Sequence, residues 1–167
     1  MDGILGRVVA IVLGLLALAG VGLAGYKAFA ANKSSTISTD ITQIVTNARS
    51  QFSQNSNGYT NFTTNNANAL VTAGVIPSDM VRAAGVTDAW GNAVQLGNAA
   101  GSTEGTITFG GGGSETVEQC ASVITSLKDY VSLQVGGGTT FTQAVQPDAV
   151  SAAQACTAGL AIVLTFQ

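Results

Sequence analysis

The sequence has 167 residues and an unusually low density of charge. Only 9% of its residues are charged, against about 25% in a typical soluble domain, and the formal net charge is −3. The six basic residues are scattered singly, so no basic stripe favours nucleic-acid binding and no nucleic-acid partner is expected. Hydroxyl, amide and small side chains dominate instead, which suits a surface that packs against copies of itself, because buried charge is costly.

Residue types that carry catalysis or bind metals are few. The sequence has no histidine, and the spacing of Cys120 and Cys156 fits no metal-ligand pattern. Its nine carboxylates are scattered along the chain. Asp79 and Asp88 with loop carbonyls remain as an alternative calcium site, although no EF-hand pattern supports them. We therefore expect no enzyme activity, no cofactor and no metal site.

The start of the chain is dominated by an uncharged apolar run at residues 8–26, between Arg7 and Lys27. A run of about 20 apolar residues is long enough to cross a bilayer as a helix. Three interpretations stay open. They are a cleavable secretory signal ending at residues 28–30, a signal anchor, and a helix that begins in the membrane and ends in the core of a filament. The run exceeds the roughly 7–15 apolar residues of a usual signal, which disfavours the first.

Glycines inside this run favour the filament interpretation. Each glycine costs a helix interior about 0.5–1 kcal/mol relative to alanine, so several of them favour close packing or local unwinding. The predicted unwinding positions are Gly14, Gly20, Gly22 and Gly25. A ridge of small residues that lets helices approach closely is formed by Gly6, Ala10 and Gly14. The alternative is that small residues are common in any membrane helix.

The helical pattern continues beyond the apolar run as an amphipathic stripe. Its apolar members, three and four residues apart, are Ile37, Ile41, Ile44, Val45, Ala48 and Phe52. One helix is therefore predicted over residues 3–54, with residues 55–58 ending it. The predicted organisation is residues 1–30 as membrane anchor or filament core and residues 31–167 as a head domain, which includes the amphipathic helix half at 31–54.

The middle of the chain, residues 59–103, is predicted to be a loop with short elements. Residues 65–73 have a helical pattern with Thr64 as N-cap, and Pro77 suits the start of another turn. We interpret Trp90, the only tryptophan, as a core anchor beneath this loop. Alternating patterns predict strands at 92–96 and 106–109.

The C-terminal part is predicted to alternate helices and strands. Ser114 is the expected N-cap of a helix over 115–129, and Pro147 opens a short helix that continues to Ala155. A short strand is predicted at 131–135. The continuous apolar run at 160–166 predicts a strand at the centre of a sheet.

Cys120 and Cys156 are expected to form a disulfide, because an N-terminal export or anchor segment implies an oxidising compartment. The chain-entropy model gives such a loop about 3–4 kcal/mol of stabilisation. Two unrelated buried thiols are the alternative.

Several stretches resemble type IV pilins, and within them the type IVb branch and the thin-pilus major pilins of conjugative systems. These stretches are residues 58–60 (GYT), 73–81 (AGVIPSDMV), 88–91 (DAWG) and 120–127 (CASVITSL). The resemblance covers nearly the whole chain. It implies an α+β fold, the type IV pilin α/β roll, with a long N-terminal α-helix packed on an antiparallel β-sheet and a C-terminal disulfide loop.

The resemblance also implies a function. The chain would be the major structural subunit of a filament that serves adhesion, aggregation or conjugative mating contact. Its partners would be other copies of itself, the inner membrane before assembly, and an export machinery of prepilin peptidase, motor ATPase and secretin. After assembly the chain would be located outside the cell, as part of the pilus. The alternatives are a minor pilin or pseudopilin of a secretion system, and a monomeric membrane-anchored binding domain.

One position departs from the family pattern. Pilins usually carry a glutamate at mature position 5, which pairs with the N-terminal amine of a neighbouring subunit, whereas this sequence has Leu5. If Met1 is the mature N-terminus, its amine, Asp2 and Arg7 are the charges in the packed core. We hypothesise that Asp2 replaces the missing glutamate and pairs with Arg7 or with a neighbour's amine. The alternative is that both charges lie in a solvated or headgroup region.

Overall fold

The chain divides into two compact units, residues Met1–Asn32 and Lys33–Gln167. The structure, a computed structural model, describes the backbone of residues 2–167 and the side chains of residues 11, 12 and 25–167. Helix α1 extends over Asp2–Phe52, close to the predicted 3–54. The other elements all belong to the second unit.

Short helices and strands alternate through the second unit. The helices are α2 (Ala67–Thr72), α3 (Val117–Ser126) and α4 (Ala149–Ala155). The strands are β1 (Val81–Arg82), β2 (Gly85–Val86), β3 (Gln95–Ala99), β4 (Glu104–Gly110), β5 (Ser132–Val135), β6 (Thr139–Thr142) and β7 (Ala161–Phe166). Single 3₁₀ turns lie at Thr64–Asn66, Ser78–Met80 and Ala100–Ser102.

Five strands form one antiparallel sheet in the order β3-β4-β7-β5-β6, while β1 and β2 form a separate hairpin. Strand β7 is central, as its apolar run predicts, and Leu164 lies opposite Ile107 on one side and Leu133 on the other. Every second residue of β4 and β7 is buried, so one face of the sheet faces the core.

The core joins this face to the amphipathic part of α1. Ile37, Ile41 and Ile44 are almost fully buried, so the stripe in the sequence marks the buried side of the helix. An aromatic cluster closes one end of the core, with ring centroids 5.3–6.0 Å apart. It consists of Phe52, Tyr59, Phe62 and Phe166. The Arg49 guanidinium lies 5.9 Å from the centre of the Phe166 ring.

Gly105 allows this aromatic cluster to form. It lies opposite Phe166 in the β4–β7 ladder, and a Cβ atom at Gly105 would come within 2.6 Å of the Phe166 ring. A larger residue would force the ring to shift, because the sheet backbone on both sides is fixed by its hydrogen bonds.

Two predicted helix caps are wrong. The cap of α3 is Thr116, whose hydroxyl accepts from the Gln119 amide while the Gln119 side chain accepts from the Thr116 amide. Ser114 instead donates to the carbonyl of Trp90. The Thr64 hydroxyl does not cap α2; it accepts from the Leu96 amide and donates to the Leu96 carbonyl, and so pairs with strand β3.

Some strand predictions also differ from the structure. The strand predicted at 92–96 begins three residues later, at Gln95, because Asn92 takes part in a hydrogen-bonded turn with Asp88. The edge strand β6 and the β1–β2 hairpin have no counterpart in the prediction. Their residues are short polar or mixed stretches, which become strands only because a neighbour offers hydrogen bonds. The predicted fold class is confirmed: a long N-terminal helix, an antiparallel sheet and a C-terminal disulfide loop.

Candidate functional site

Large apolar side chains are exposed in the first unit. Ile11 and Val12 are 63% and 49% exposed, and Tyr26 and Phe29 are 62% and 73% exposed. Apolar groups that remain in water favour association with another apolar surface. This unit therefore offers a candidate surface for contact with lipid or with another copy.

A disulfide between Cys120 and Cys156 joins helix α3 to the end of helix α4. A groove of about 360 Å³ lies between α3 and the start of α4, and it is lined by Glu118, Ala121, Ser122, Thr125, Pro147, Asp148 and Ala149. Val145, which precedes α4, and Val150, which lies within α4, are exposed. Hydrogen bonds from the amide and hydroxyl of Ser151 hold the pKa of Asp148 below its usual value.

Trp90 is buried in a loop that two carboxylates organise. One oxygen of Asp88 accepts from the amides of Trp90 and Asn92, and the other accepts from the Gly110 amide at 2.8 Å. Glu115, also buried, accepts from the Gly111 amide and from the Asn92 side chain. These bonds link the loop to the end of β4, so the carboxylates have a structural role.

A small cavity of about 40 Å³ lies beside α1, between Asp40 and the segment 79–89. Asp40 is only 7% exposed. Burial and the nearby Asp79 carboxylate raise its pKa from 3.8 to about 6. Arg82 and Asp88 also line the cavity. A carboxyl group that is hard to ionise at this place is the strongest electrostatic anomaly of the described residues.

Other buried polar groups do not suggest chemistry. Burial raises the pKa of the Tyr59 and Tyr130 hydroxyls. Those hydroxyls and the Trp90 indole N–H are buried without a hydrogen-bond partner among the described residues. Over the same residues, no group of three or more histidine, cysteine or acidic side chains is placed to hold a metal ion.

Comparison with known proteins places the chain in a family. A family model described as PilS N terminal matches residues 31–167, which is most of the chain. The chain belongs to the PilS family. A search of curated proteins gives no match to it.

Two solved structures share the fold of this PilS-family chain. The type IV b pilin from Salmonella typhi is 18% identical, covers 80% of this chain and 99% of its own, and has a TM-score of 0.60. TcpA, a type IV pilin from the Vibrio cholerae El Tor biotype, is 15% identical, covers 81% of this chain and 99% of its own, and has a TM-score of 0.60. The PilS-family chain therefore has the type IVb pilin fold, and the resemblance of its sequence to type IVb pilins is confirmed.

Most of the predicted assembly residues of this pilin lie outside the residues whose side chains are described. They are Met1, Asp2, Gly6, Arg7, Ala10, Gly14, Gly20 and Gly22. Gly25 is described and lies in α1, where an added Cβ would meet no atom within 4 Å beyond the helix's own backbone. Over the described residues, no helix is long and apolar enough to cross a membrane. The side chains of residues 8–10 and 13–24 of the apolar run are not among the described ones.

The head of the pilin contains the other predicted site residues and one that the sequence pattern does not reveal. Trp90 is 6% exposed and belongs to the core, and Cys120 pairs with Cys156. The hidden residue is Asp40, which on a helical wheel is one of several polar residues beside the apolar stripe. Only the segment 79–89, which covers it, makes its environment unusual.

Proposed function

We propose that this PilS-family pilin is the major subunit of a type IVb pilus and polymerises through its N-terminal helix. The observation that carries the proposal is the exposure of Ile11, Tyr26 and Phe29 on α1 in a chain of pilin fold. Such side chains favour lipid or neighbouring helices over water. The apolar run at 8–26 extends that argument to the rest of the segment.

The proposal implies that residues 1–30 occupy two environments in succession. Before assembly, residues 1–30 anchor the subunit in the inner membrane; after assembly, copies of the same segment surround one another in the filament core. The proposed machinery comprises a prepilin peptidase, a motor ATPase and a secretin. The filament then serves adhesion, aggregation or conjugative mating contact outside the cell.

Electron microscopy of sheared surface material tests this proposal. The chain is expressed with its assembly genes, the surface fraction is sheared off, and filaments are labelled with an antibody against the head. Continuous labelling along long filaments is expected. Labelling only at the tips would indicate a minor pilin or pseudopilin, and monomers alone after detergent extraction would indicate an anchored binding domain.

The proposed role of Asp2 has its own test. If its carboxylate replaces the glutamate usually found at position 5, Asp2→Asn should impair filament assembly without unfolding the head, because a charged amine or Arg7 would remain unpaired in an apolar core. Asp2→Glu, which keeps the charge, should retain assembly. Unchanged filament yield in Asp2→Asn, at equal subunit levels, would contradict the proposed role.

A further inference from the structure

Asp40, in the cavity beside α1, has a carboxylate without a partner among the residues that the structure describes. The Asp40 side chain lines the cavity and is more than nine-tenths buried. No hydrogen bond or ion pair from the described residues reaches its carboxylate oxygens. A buried carboxylate in this situation is unfavourable unless a cation or donor approaches it.

The other charged groups of the cavity do not neutralise Asp40. Both oxygens of Asp88 accept hydrogen bonds from backbone amides, and the residue carries the same charge. Arg82 donates to the carbonyls of Asp79 and Val81 rather than to a carboxylate. Asp79 acts on Asp40 as a like charge. The described residues of one subunit therefore make the cavity acidic and provide no cation that pairs with Asp40.

The cavity volume limits what can enter. About 40 Å³ is enough for one group of the size of a water molecule, which fits the ammonium head of a lysine. Ca²⁺ or Mg²⁺ is a poorer fit, since each needs six or more ligands, mostly oxygen, and the cationic residue Arg82 lines the same space. No metal-binding group is found among the described residues.

Among the described residues of the second unit, Lys33 is the suitable cation. It is exposed on α1, and no hydrogen bond or ion pair of its side chain is formed with the described residues. Arg49, Arg82 and Lys128, by contrast, donate to backbone carbonyls. Lys33 precedes Asp40 by seven residues, or two helical turns of about 10.5 Å in total. It is therefore too far along the helix to pair with Asp40 of its own subunit.

We propose that the Asp40 cavity is the docking site for the Lys33 ammonium group of a neighbouring copy of this chain. A parallel copy displaced by about 10.5 Å along the helix axis places its Lys33 level with Asp40. The pair repeats along the polymer, because every subunit carries both the lysine and the cavity. This inference rests on the proposed function, since it requires that copies pack with their helices parallel.

Charge reversal tests the pair in filaments. Lys33→Asp and Asp40→Lys should each lower the yield of sheared filaments at least about tenfold, since breaking a buried charge pair is strongly unfavourable. The double variant should recover most of the yield. Lys128→Asp, the same charge change at an exposed lysine of the head, should remain close to wild type. Equal loss in Lys128→Asp, or wild-type yield in both single variants, would overturn the proposal.

A second measurement separates docking from a structural role of Asp40. Asp40→Asn should raise the melting temperature of the detergent-solubilised full-length subunit at pH 8, because an unpaired buried charge is removed. The same variant should make filaments dissociate at a lower temperature than wild type. If Asp40→Asn shifts the melting temperature of the subunit and the dissociation temperature of the filament in the same direction, Asp40 does not pair with Lys33 of a neighbouring copy.

Cross-linking covers the case in which Asp40→Lys fails to fold. Asp79 is exposed at the cavity, so Lys33→Cys combined with Asp79→Cys should give a ladder of covalent multimers on treating filaments with a short thiol-specific cross-linker. The control pair, Lys33→Cys with Lys128→Cys, should give none. Filaments without a ladder would overturn this inference and leave the proposed function intact, whereas a wild-type chain that forms no filaments would overturn both.

Discussion

The two parts of helix α1 belong to one helix and differ in what surrounds their apolar side chains. In the first unit, Ile11 and Phe29 are mostly exposed; in the second, Ile37 and Ile41 are almost fully buried. The head core provides the partner for the second set, whereas the first set has none among the described residues. Apolar side chains on one helix can thus stabilise the fold of a subunit or remain available for contacts with other molecules.

This difference leads to a general expectation. Substitutions of buried apolar residues within Lys33–Gln167 should change the stability of the isolated subunit, whereas substitutions of apolar residues in Met1–Asn32 should leave it unchanged and alter assembly. Unfolding of the full-length chain in mild detergent can be followed by the fluorescence of Trp90, which is the only tryptophan and is buried.

The largest effect is expected for the disulfide of the head. Cys120→Ser with Cys156→Ser should lower the free energy of unfolding by about 4 kcal/mol, because the open loop adds conformational entropy to the unfolded chain. Urea titration, with and without a reducing agent, measures the loss. The reducing agent should destabilise the wild type and leave the double variant unchanged. A variant as stable as the wild type would contradict a stabilising role for the bond.

Two identical substitutions on α1 test the comparison directly. Ile41→Ala should destabilise the subunit by about 3 kcal/mol, since it removes buried apolar contacts and leaves a cavity. Ile11→Ala should change the subunit by less than about 0.5 kcal/mol. The same urea titration measures both. Equal losses in the two variants would show that the first unit also contributes to the folded core.

A smaller change in stability is expected for Asp40→Asn, and its size depends on pH. Its pKa is raised to about 6, first by burial and then by Asp79, so the folded subunit binds this proton more tightly than the unfolded chain does. Its contribution to stability is complete below about pH 4 and is lost as the pH rises through about 6. Asp40→Asn should therefore stabilise the detergent-solubilised subunit at pH 8 by about 1 kcal/mol, after allowance for solvent screening.

Two controls accompany this pH dependence. The effect of Asp40→Asn should be much smaller at pH 4, where the wild-type carboxyl is neutral in the folded subunit and partly neutral in the unfolded chain. Asp79→Asn should produce a smaller shift of the same sign, because it removes the like charge and leaves Asp40 buried. Arg82 and Asp88 stay unchanged in both variants, and the melting temperature between pH 4 and pH 8 is the measurement. If the difference in melting temperature between wild type and Asp40→Asn did not vary with pH, a raised pKa of Asp40 would be contradicted.

The smallest effect is expected at the cap of α3. Thr116→Ala removes the hydroxyl that accepts from the Gln119 amide and should cost about 1 kcal/mol or less. Thr116→Ser keeps the hydroxyl and should recover most of that loss. Urea titration of both variants is the check, and equal stability of the alanine and serine variants would indicate that the hydroxyl contributes nothing.

The sequence by itself determined the elements whose patterns are strong and local. The stripe from Ile37 to Ala48 predicts the buried side of α1, because helical spacing places these residues on one side of the helix. The continuous apolar run in β7 predicts a central strand. The strand is central in the sheet order, and only its core-facing side is buried. The two cysteines and the pilin-like stretches predict the disulfide loop and the fold.

Only the tertiary structure decided where polar side chains find their partners. Thr64 bonds to strand β3 and Ser114 to the loop of Trp90, so neither caps a helix. The Thr-rich strand β6 forms because its backbone pairs with β5 through an antiparallel ladder of hydrogen bonds. Asp40 becomes unusual only when the segment 79–89 covers it. A hydroxyl or carboxylate can bond to many partners, and the choice among them depends on residues distant in sequence.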